Sequence, residues 1–516
     1  MPRLWSPAPV PTLWLDPETM TGLDDDGRRV VLSRDAGLED VLSLGLVRAH
    51  RSGGRVRVML TGGYRPDPAD WMLRTVPEWE TAGHWIDASH GYHVAAWREV
   101  ETRTLVQVRT TAEWWGADAG DDPQSARVAW HVLGQTLDAV TRHERTLMLS
   151  PGATGLQVWA ASLRGALPDM PDTLAELLAE TSGQHRIELL TAGGDRCMCE
   201  DCQPAPCSDT SDGRWTVVDG RWMYAACTRE LGVGPGRAVT GAELADVLRE
   251  QPYARGWVHV RAGVPSWWHQ LGLLMARRRG GGWHAPCRPG AVVDTWADTS
   301  EVALAGRYGW ALEPVEGYLW ETMSPGPLDT YTSRLVRARH LLDARHDDVG
   351  ALASAAVRRV HLHGIGSMAS RGRRLAHVVP SAWDVPADAT VVMPLREDGD
   401  ELVYWTERKL RPLRPELAVQ VWGRARARVL GGRPGLPGAL DVPADELVGV
   451  HGDALITRDV PAWAQPAAYG GLDDGAPGRL RVKGRLPRAR KPPRTHRDRD
   501  AMVAVASQHA TVGGPR

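Results

Sequence analysis

Asp219 stands at the end of an apolar run, 215–218, and opens the segment DGRWMYAA. A carboxylate fixed at a strand end suits Mg²⁺, which prefers rigid oxygen ligands. An Asp after a strand is also an ordinary turn former. Asp453 lies in VGVHGDALITRD, where Leu447, Val448, Val450, Leu455 and Ile456 alternate around a Gly-Asp pair. That pattern predicts a hairpin with the acid at its tip. Cys197, Cys199, Cys202 and Cys207 fall within eleven residues as C-x-C-x2-C-x4-C. Four thiolates at this spacing are a candidate tetrahedral Zn²⁺ site, or else reduced loop thiols.

The elements that must carry these residues can be read from periodicity. Residues 1–118 alternate short β-like runs, at 55–60 and 104–109, with Gly, Pro and Asp turns. Ala126, Trp130, Leu133 and Leu137 recur at helical spacing, and a second helix is expected over 172–180. Strands return at 215–218, 256–261 and 310–321. Residues 331–430 read as mostly helical and Arg-rich, before a β-like segment over 448–457. Within them, 349–363 carries Leu352, Ala356, Val357 and Val360 on one face. A helix from Pro415 aligns Leu417, Val421, Ala425 and Val429, leaving Arg424, Arg426 and Arg428 on its other faces as solvated charge or phosphate contacts.

Composition narrows the class. The chain has 516 residues, 43% of them apolar, and a net charge of −2, as expected of a multidomain α/β protein. No apolar run approaches the ~20 residues of a membrane helix. The N-terminus lacks a signal pattern, so a cytoplasmic protein without a membrane partner is expected. Phe and Asn are absent and Lys occurs three times. Trp must therefore replace Phe in the core, and motifs needing Asn, Phe or Lys can appear only in altered form. The pairs Trp114–Trp115 and Trp267–Trp268 are core residues or base-stacking candidates. From Gly478 onward eleven Arg and Lys face two Asp. Lys483, Arg485, Arg488, Arg490 and Lys491 are candidate nucleic-acid contacts, and 487–516 is expected to be a disordered basic tail.

From about residue 210 to 485 the chain resembles a diverged family B DNA polymerase of the protein-primed branch. DGRWMYAA is similar to that family's first palm motif, Asp-x-x-Ser-Leu-Tyr-Pro-Ser, with Asp219 and Tyr224 matching. RVHLHGIGSM at 359–368 falls where the fingers motif Lys-x-x-x-Asn-Ser-x-Tyr-Gly belongs. There Arg359 takes the place of the Lys, and His363 that of the Asn. GDAL resembles Thr-Asp-Ser-Ile of the last palm motif, with Asp453 retained and its companion carboxylate missing.

The resemblance implies an antiparallel palm interrupted by helical fingers and preceded by an exonuclease-like domain. The corresponding segments are an N-terminal α/β domain (1–185), a first palm half with the Cys cluster (186–330), fingers (331–430) and a second palm half (431–486). It further implies nucleotidyl transfer with two Mg²⁺ between Asp219 and Asp453, and Tyr224, Arg359 and His363 at the nucleotide. The implied partners are single-stranded or primer–template DNA, dNTPs and a priming protein, in replication of a mobile element. Two alternatives stand beside this: an inactive nucleic-acid-binding replication or regulatory factor on the same fold, and a zinc-containing interaction module. Asp16 and Glu18 in LDPET have the spacing of the first exonuclease motif, but no Asn-x-x-x-Asp partner can exist. An inactive exonuclease-like domain is expected.

Overall fold

The computed structural model describes residues 10–509 except 50–53, 63–73, 84, 88–91, 117–118, 183–187, 191–211, 252–253, 278–282, 371, 388, 390, 396–399, 410–412, 432–434, 494–500, 504 and 507–508. The chain is mixed α/β and divides into two units, Met1–Gly165 with Thr330–Leu413, and Ala166–Asp329 with Arg414–Arg516. No helix among the described residues is long and apolar enough to cross a membrane.

The first unit begins with β1 (Thr12–Asp16), β2 (Thr21–Asp24), β3 (Arg29–Val31), α1 (Leu38–Ala49) and β4 (Arg55–Leu60). There follow β5 (Trp79–Thr81), β6 (Trp85–Asp87), β7 (Tyr92–Glu99), β8 (Leu105–Thr110), α2 (Ala112–Trp115), α3 (Pro123–Thr141) and α4 (Pro151–Ser162). The sheet runs β3-β2-β1-β4-β8-β7-β5, with β1, β4 and β8 parallel. Period-two alternation divides its faces. Leu13, Leu15, Val56, Val58, Val106 and Val108 pack with Leu38, Val41 and Leu42 of α1. Trp14 turns to the other face and meets Trp130 of α3, ring centroids 5.8 Å apart. α3 begins where Asp122 accepts from the N–H groups of Gln124 and Ser125, with Pro123 in the first turn.

The second unit continues with α5 (Asp172–Thr181), β9 (Glu188–Leu190), β10 (Thr216–Gly220), α6 (Met223–Ala226), β11 (Arg237–Thr240), α7 (Gly241–Glu250) and β12 (Arg255–Gly263). Next come β13 (Ala276–Arg277), β14 (Trp283–His284), β15 (Val292–Asp298), α8 (Thr299–Arg307) and β16 (Ala311–Trp320). An antiparallel sheet, β11-β16-β12-β15, packs Trp257 and Trp320 against Met170, Leu174 and Leu178.

The chain returns to the first unit with α9 (Asp329–Asp343) and α10 (Asp348–Met368). α10 lies against α4 at glycine contact: a Cβ on Gly155 would sit 2.5 Å from the Gly364 Cα and from the Val360 carbonyl. The expected helical run then ends early. β17 (Gly372–Val379), β18 (Val391–Pro394) and β19 (Leu402–Lys409) form a three-stranded sheet, order β17-β19-β18, around Ala376, Val378 and Val403. Their β-branched and aromatic residues favour pleated packing over helix.

α11 (Pro415–Leu430) belongs to the second unit, as do β20 (Leu447–His451), β21 (Ala454–Thr457) and β22 (Leu480–Arg485). The last sheet is β22-β10-β21-β20-β9, antiparallel throughout. The expectation of a disordered tail is corrected in its described parts. Arg490 bridges to Gly213, and its carbonyl accepts from the Trp215 indole N–H at 2.9 Å. Met502 and Ala506 join the core of Trp215, Val217, Val448, Ile456 and Leu486. A few apolar side chains suffice to order a basic segment once a sheet face needs covering.

Candidate active site

β10 is buried along its whole length, and Asp219, near its end, is 5% exposed. β20 and β21 form a hairpin whose two-residue turn is Gly452–Asp453, with Gly452 in the left-handed region at φ 57°. β10 pairs with β21 so that Asp219 is opposite Ala454. This places Asp453 beside the end of β10, where the Gly220 N–H donates to the Asp453 carbonyl at 2.8 Å. A Cβ on Gly220 would stand 3.2 Å from the Asp453 Cβ and 2.9 Å from the Met223 Cβ. A side chain at 220 would therefore press on Met223 and, less severely, on Asp453. The two acids singled out in the sequence, 234 residues apart, thus lie on neighbouring strand ends of one sheet, with Asp219 opposite Ala454 and Gly220 beside Asp453.

The chain leaving Asp219 is tied down at once. Arg221 donates to both oxygens of Asp473, at 3.1 and 2.9 Å, and its backbone N–H donates to the Arg479 carbonyl at 2.7 Å. Trp222 adopts a left-handed φ of 46° to start α6, on which Tyr224 is half-buried. Lys483 brings its ammonium to 3.9 Å from Asp219 Oδ2. Among the described residues no group of three His, Cys, Asp or Glu side chains is placed to hold a metal ion.

The reading of Arg426 as a phosphate contact is corrected, because its side chain is buried in α11, whereas Arg424 and Arg428 are half-buried. Arg426 forms a bidentate pair with Glu301, both bonds 2.7 Å and both side chains buried. Burial disfavours its charge, but the Glu301 carboxylate outweighs that and raises its pKa. Arg424 donates to the carbonyls of Cys227 and Arg229. Arg428 donates to the Pro437 carbonyl at 2.9 Å, and burial lowers its pKa to about 10. A buried Arg held in a bidentate pair, as Arg426 is, is not available to a phosphate.

Beside this pair, Asp298 ends β15 and caps α8 by accepting from the Ser300 N–H at 2.9 Å, while its Oδ2 has no hydrogen-bond partner. Gly423 makes room for it, since a Cβ there would meet the Asp298 Cβ at 2.2 Å. Desolvation, then the nearby Glu301 charge, raises the Asp298 pKa to about 6. The folded state therefore binds this proton more tightly than the unfolded chain. Its contribution is fully present below pH 4 and is lost as pH rises through 6, at a cost of about 3 kcal/mol at pH 7. Asp298→Asn keeps the cap and removes the charge. Urea melts from pH 4 to 7 should show the variant more stable at pH 7 and without the wild-type decline between pH 4 and 6.

Arg359 and His363 lie on α10 in the first unit. Arg359 donates to the Glu113 carbonyl at 3.3 Å, and the His363 carbonyl lies 3.3 Å from where a Gly152 Cβ would be. The α10 turn bearing the fingers-like motif is thus packed against α2 and α4. Asp16 and Glu18 are in the first unit too. Both Asp16 oxygens are occupied locally, by the Glu18 N–H and the Thr19 hydroxyl, as in a turn. Trp114, Trp115 and Trp268 are buried core residues, whereas Trp267 is 61% exposed. Arg485 donates to the Arg214 carbonyl and pairs with Asp459, while Arg488, Arg490 and Lys491 are exposed. The cluster Cys197, Cys199, Cys202 and Cys207 lies outside the described residues.

Sequence reasoning missed Glu301 and the approach of Lys483 to Asp219. The available signal for the latter was the rarity of lysine in a chain of 61 Arg and Lys of which three are Lys.

The fold is polymerase-like, as the motif order implied. The solved structures it matches include Phi29 DNA polymerase in an orthorhombic crystal form, at 11% identity and a TM-score of 0.54. They also include Phi29 DNA polymerase complexed with primer-template DNA and incoming nucleotide substrates, at 10% identity and a TM-score of 0.57. Each match covers 93% of this chain and 85% of that chain. No protein-family model and no curated protein sequence matches the chain.

Proposed function

We propose that this protein is a polymerase-type nucleotidyltransferase that binds primer–template DNA and dNTPs and extends a 3′ end, with Asp219 and Asp453 holding Mg²⁺. The observation that supports this reading is the pairing of β10 with β21, which brings the Asp453 turn beside the end of the strand that carries Asp219. The donors suit the ion. Two carboxylates and the Gly220 carbonyl are hard oxygen ligands, and Mg²⁺ takes one or two carboxylates and completes its shell with water and substrate phosphates. Bound there, such ions polarise the phosphate and favour the ionised 3′-hydroxyl. The chain's own residues supply the fixed positions. Asp219 is held by a fully buried strand, Asp453 by a two-residue turn, and the segment between β10 and α6 by the Arg221–Asp473 pair. Tyr224, next along α6, is the residue assigned to the sugar.

A second reading is a DNA-binding factor without incorporation, and the residue that bears on it is Arg359. Its guanidinium is bonded to the Glu113 carbonyl, although the fingers motif would direct it to a triphosphate. Primer extension with Mg²⁺, run beside a gel-shift assay, separates the two. Incorporation supports the first reading, and retarded DNA with no extension establishes the second.

Either reading assigns the exposed cations Arg488, Arg490 and Lys491 to sequence-independent phosphate contacts. Deleting the whole tail would also remove Met502 and Ala506 from the core, so point substitution is the cleaner test. Changing all three to Gln should reduce the slope of log K against log salt on single strands by about 2, at roughly 0.7 per contact. An unchanged slope would mean that these cations are only solvated.

A further inference from the structure

Lys483 is the irregular residue of its strand. β22 pairs with β10 so that Val217 faces Gly484 and Val218 faces Val482, which leaves Lys483 as the extra residue of a β-bulge. A bulge interrupts the two-residue alternation and re-aims a side chain. Here the re-aimed ammonium reaches Asp219, at 3.9 Å from Oδ2. The Asp219 side chain is 7% exposed and that of Lys483 31%, so the carboxylate is enclosed while the lysine retains a path to solvent. Two neighbouring cations have other anchors, Arg479 on Asp474 and Arg485 on Asp459, while Arg481 stands opposite Asp219 in the strand register.

We propose that the Lys483 ammonium is a resident counter-ion that a divalent cation must displace from Asp219, so that the bulge sets the metal affinity of the site. The proposal rests on the metal-holding role of Asp219 and Asp453 given above. With Lys483 in place the Asp219 charge is balanced, so an incoming ion meets a carboxylate that already has a counter-charge. Displacement breaks no covalent bond. The ammonium swings into water with its charge intact, and the cation takes the vacated oxygen. Lys483 is a positioning residue in this scheme, and its earlier assignment to phosphate gives way to one at the carboxylate.

The test is titration of the full chain, free of DNA and nucleotide, with Mn²⁺ followed by electron paramagnetic resonance. Lys483→Met and Lys483→Gln should each bind Mn²⁺ about three- to fivefold more tightly than wild type, the upper range of a partly screened ion pair. Lys483→Arg, which keeps the charge, should stay within about twofold of wild type. Asp219→Asn should lose the site. If Asp219→Asn abolishes binding while both uncharged variants match wild type, the counter-ion proposal is overturned and the metal site stands. If Asp219→Asn and Asp453→Asn bind Mn²⁺ as wild type does, the metal reading fails and the proposal with it. Circular dichroism on each variant confirms that a folded protein is titrated, and the two uncharged side chains guard against a packing effect of either one.

Discussion

Asp219→Asn and Asp453→Asn should each lower nucleotide incorporation by at least about 10³-fold while leaving primer–template binding within about twofold. The size follows from the chemistry assigned to the pair, since a correctly held divalent cation contributes several kcal/mol of charge stabilisation in phosphoryl transfer. Asn preserves shape and backbone register but not the anionic oxygens. The backbone contact between Gly220 and Asp453 involves neither side chain and should persist. In Asp219→Asn the ammonium of Lys483 loses its partner, but at 31% exposure it can turn to water, so only a small loss of stability is expected. Single-turnover extension with a labelled primer, beside equilibrium DNA binding and a thermal melt, distinguishes lost chemistry from lost structure. Equal, low incorporation by wild type and both variants would leave DNA binding as the function of this fold.

The acid pair was legible because each half has a local signature. Val217 and Val218 followed by Asp219 and Gly220 read as a buried strand ending in a carboxylate. The alternation around Gly452–Asp453 read as a hairpin, and the structure returns both. The stripe Ala126, Leu133 and Leu137 likewise marked the buried face of α3. What failed depended on partners far away in sequence. Nothing near Arg426 announces Glu301, 125 positions earlier, so a residue among three arginines reads as solvated when it is enclosed. The bulge that redirects Lys483 exists only in the register of β22 against β10. Local alternation alone placed that side chain with the other cations of its strand. The sheet β17–β19 was lost for a different reason: its short β-branched runs follow the long helical pattern of α10, and the period changes from 3.6 to 2 with no Gly-Pro cluster between them.

Arg426→Ala should destabilise the protein by about 3–5 kcal/mol without altering the salt dependence of DNA binding by the folded fraction. Truncation leaves the Glu301 carboxylate, its side chain 3% exposed, without its bidentate partner and close to the buried Asp298. An unpaired buried charge is far more costly than the pair itself is stabilising, because desolvation of the survivor is no longer offset. Glu301→Ala should be comparably damaging from the other side, since it strands the guanidinium within α11. Replacing both by apolar residues of similar volume, Arg426→Met with Glu301→Leu, should recover most of the loss, because neither survivor then needs a partner. Urea denaturation of the four proteins at constant pH measures each effect as a change in midpoint at constant slope. Had Arg426 been a phosphate contact on an exposed helix face, Arg426→Ala would move stability by no more than ~0.5 kcal/mol and reduce the salt slope by roughly one contact. The opposite pattern, a large loss of stability with an unchanged slope, is what enclosure of α11 requires.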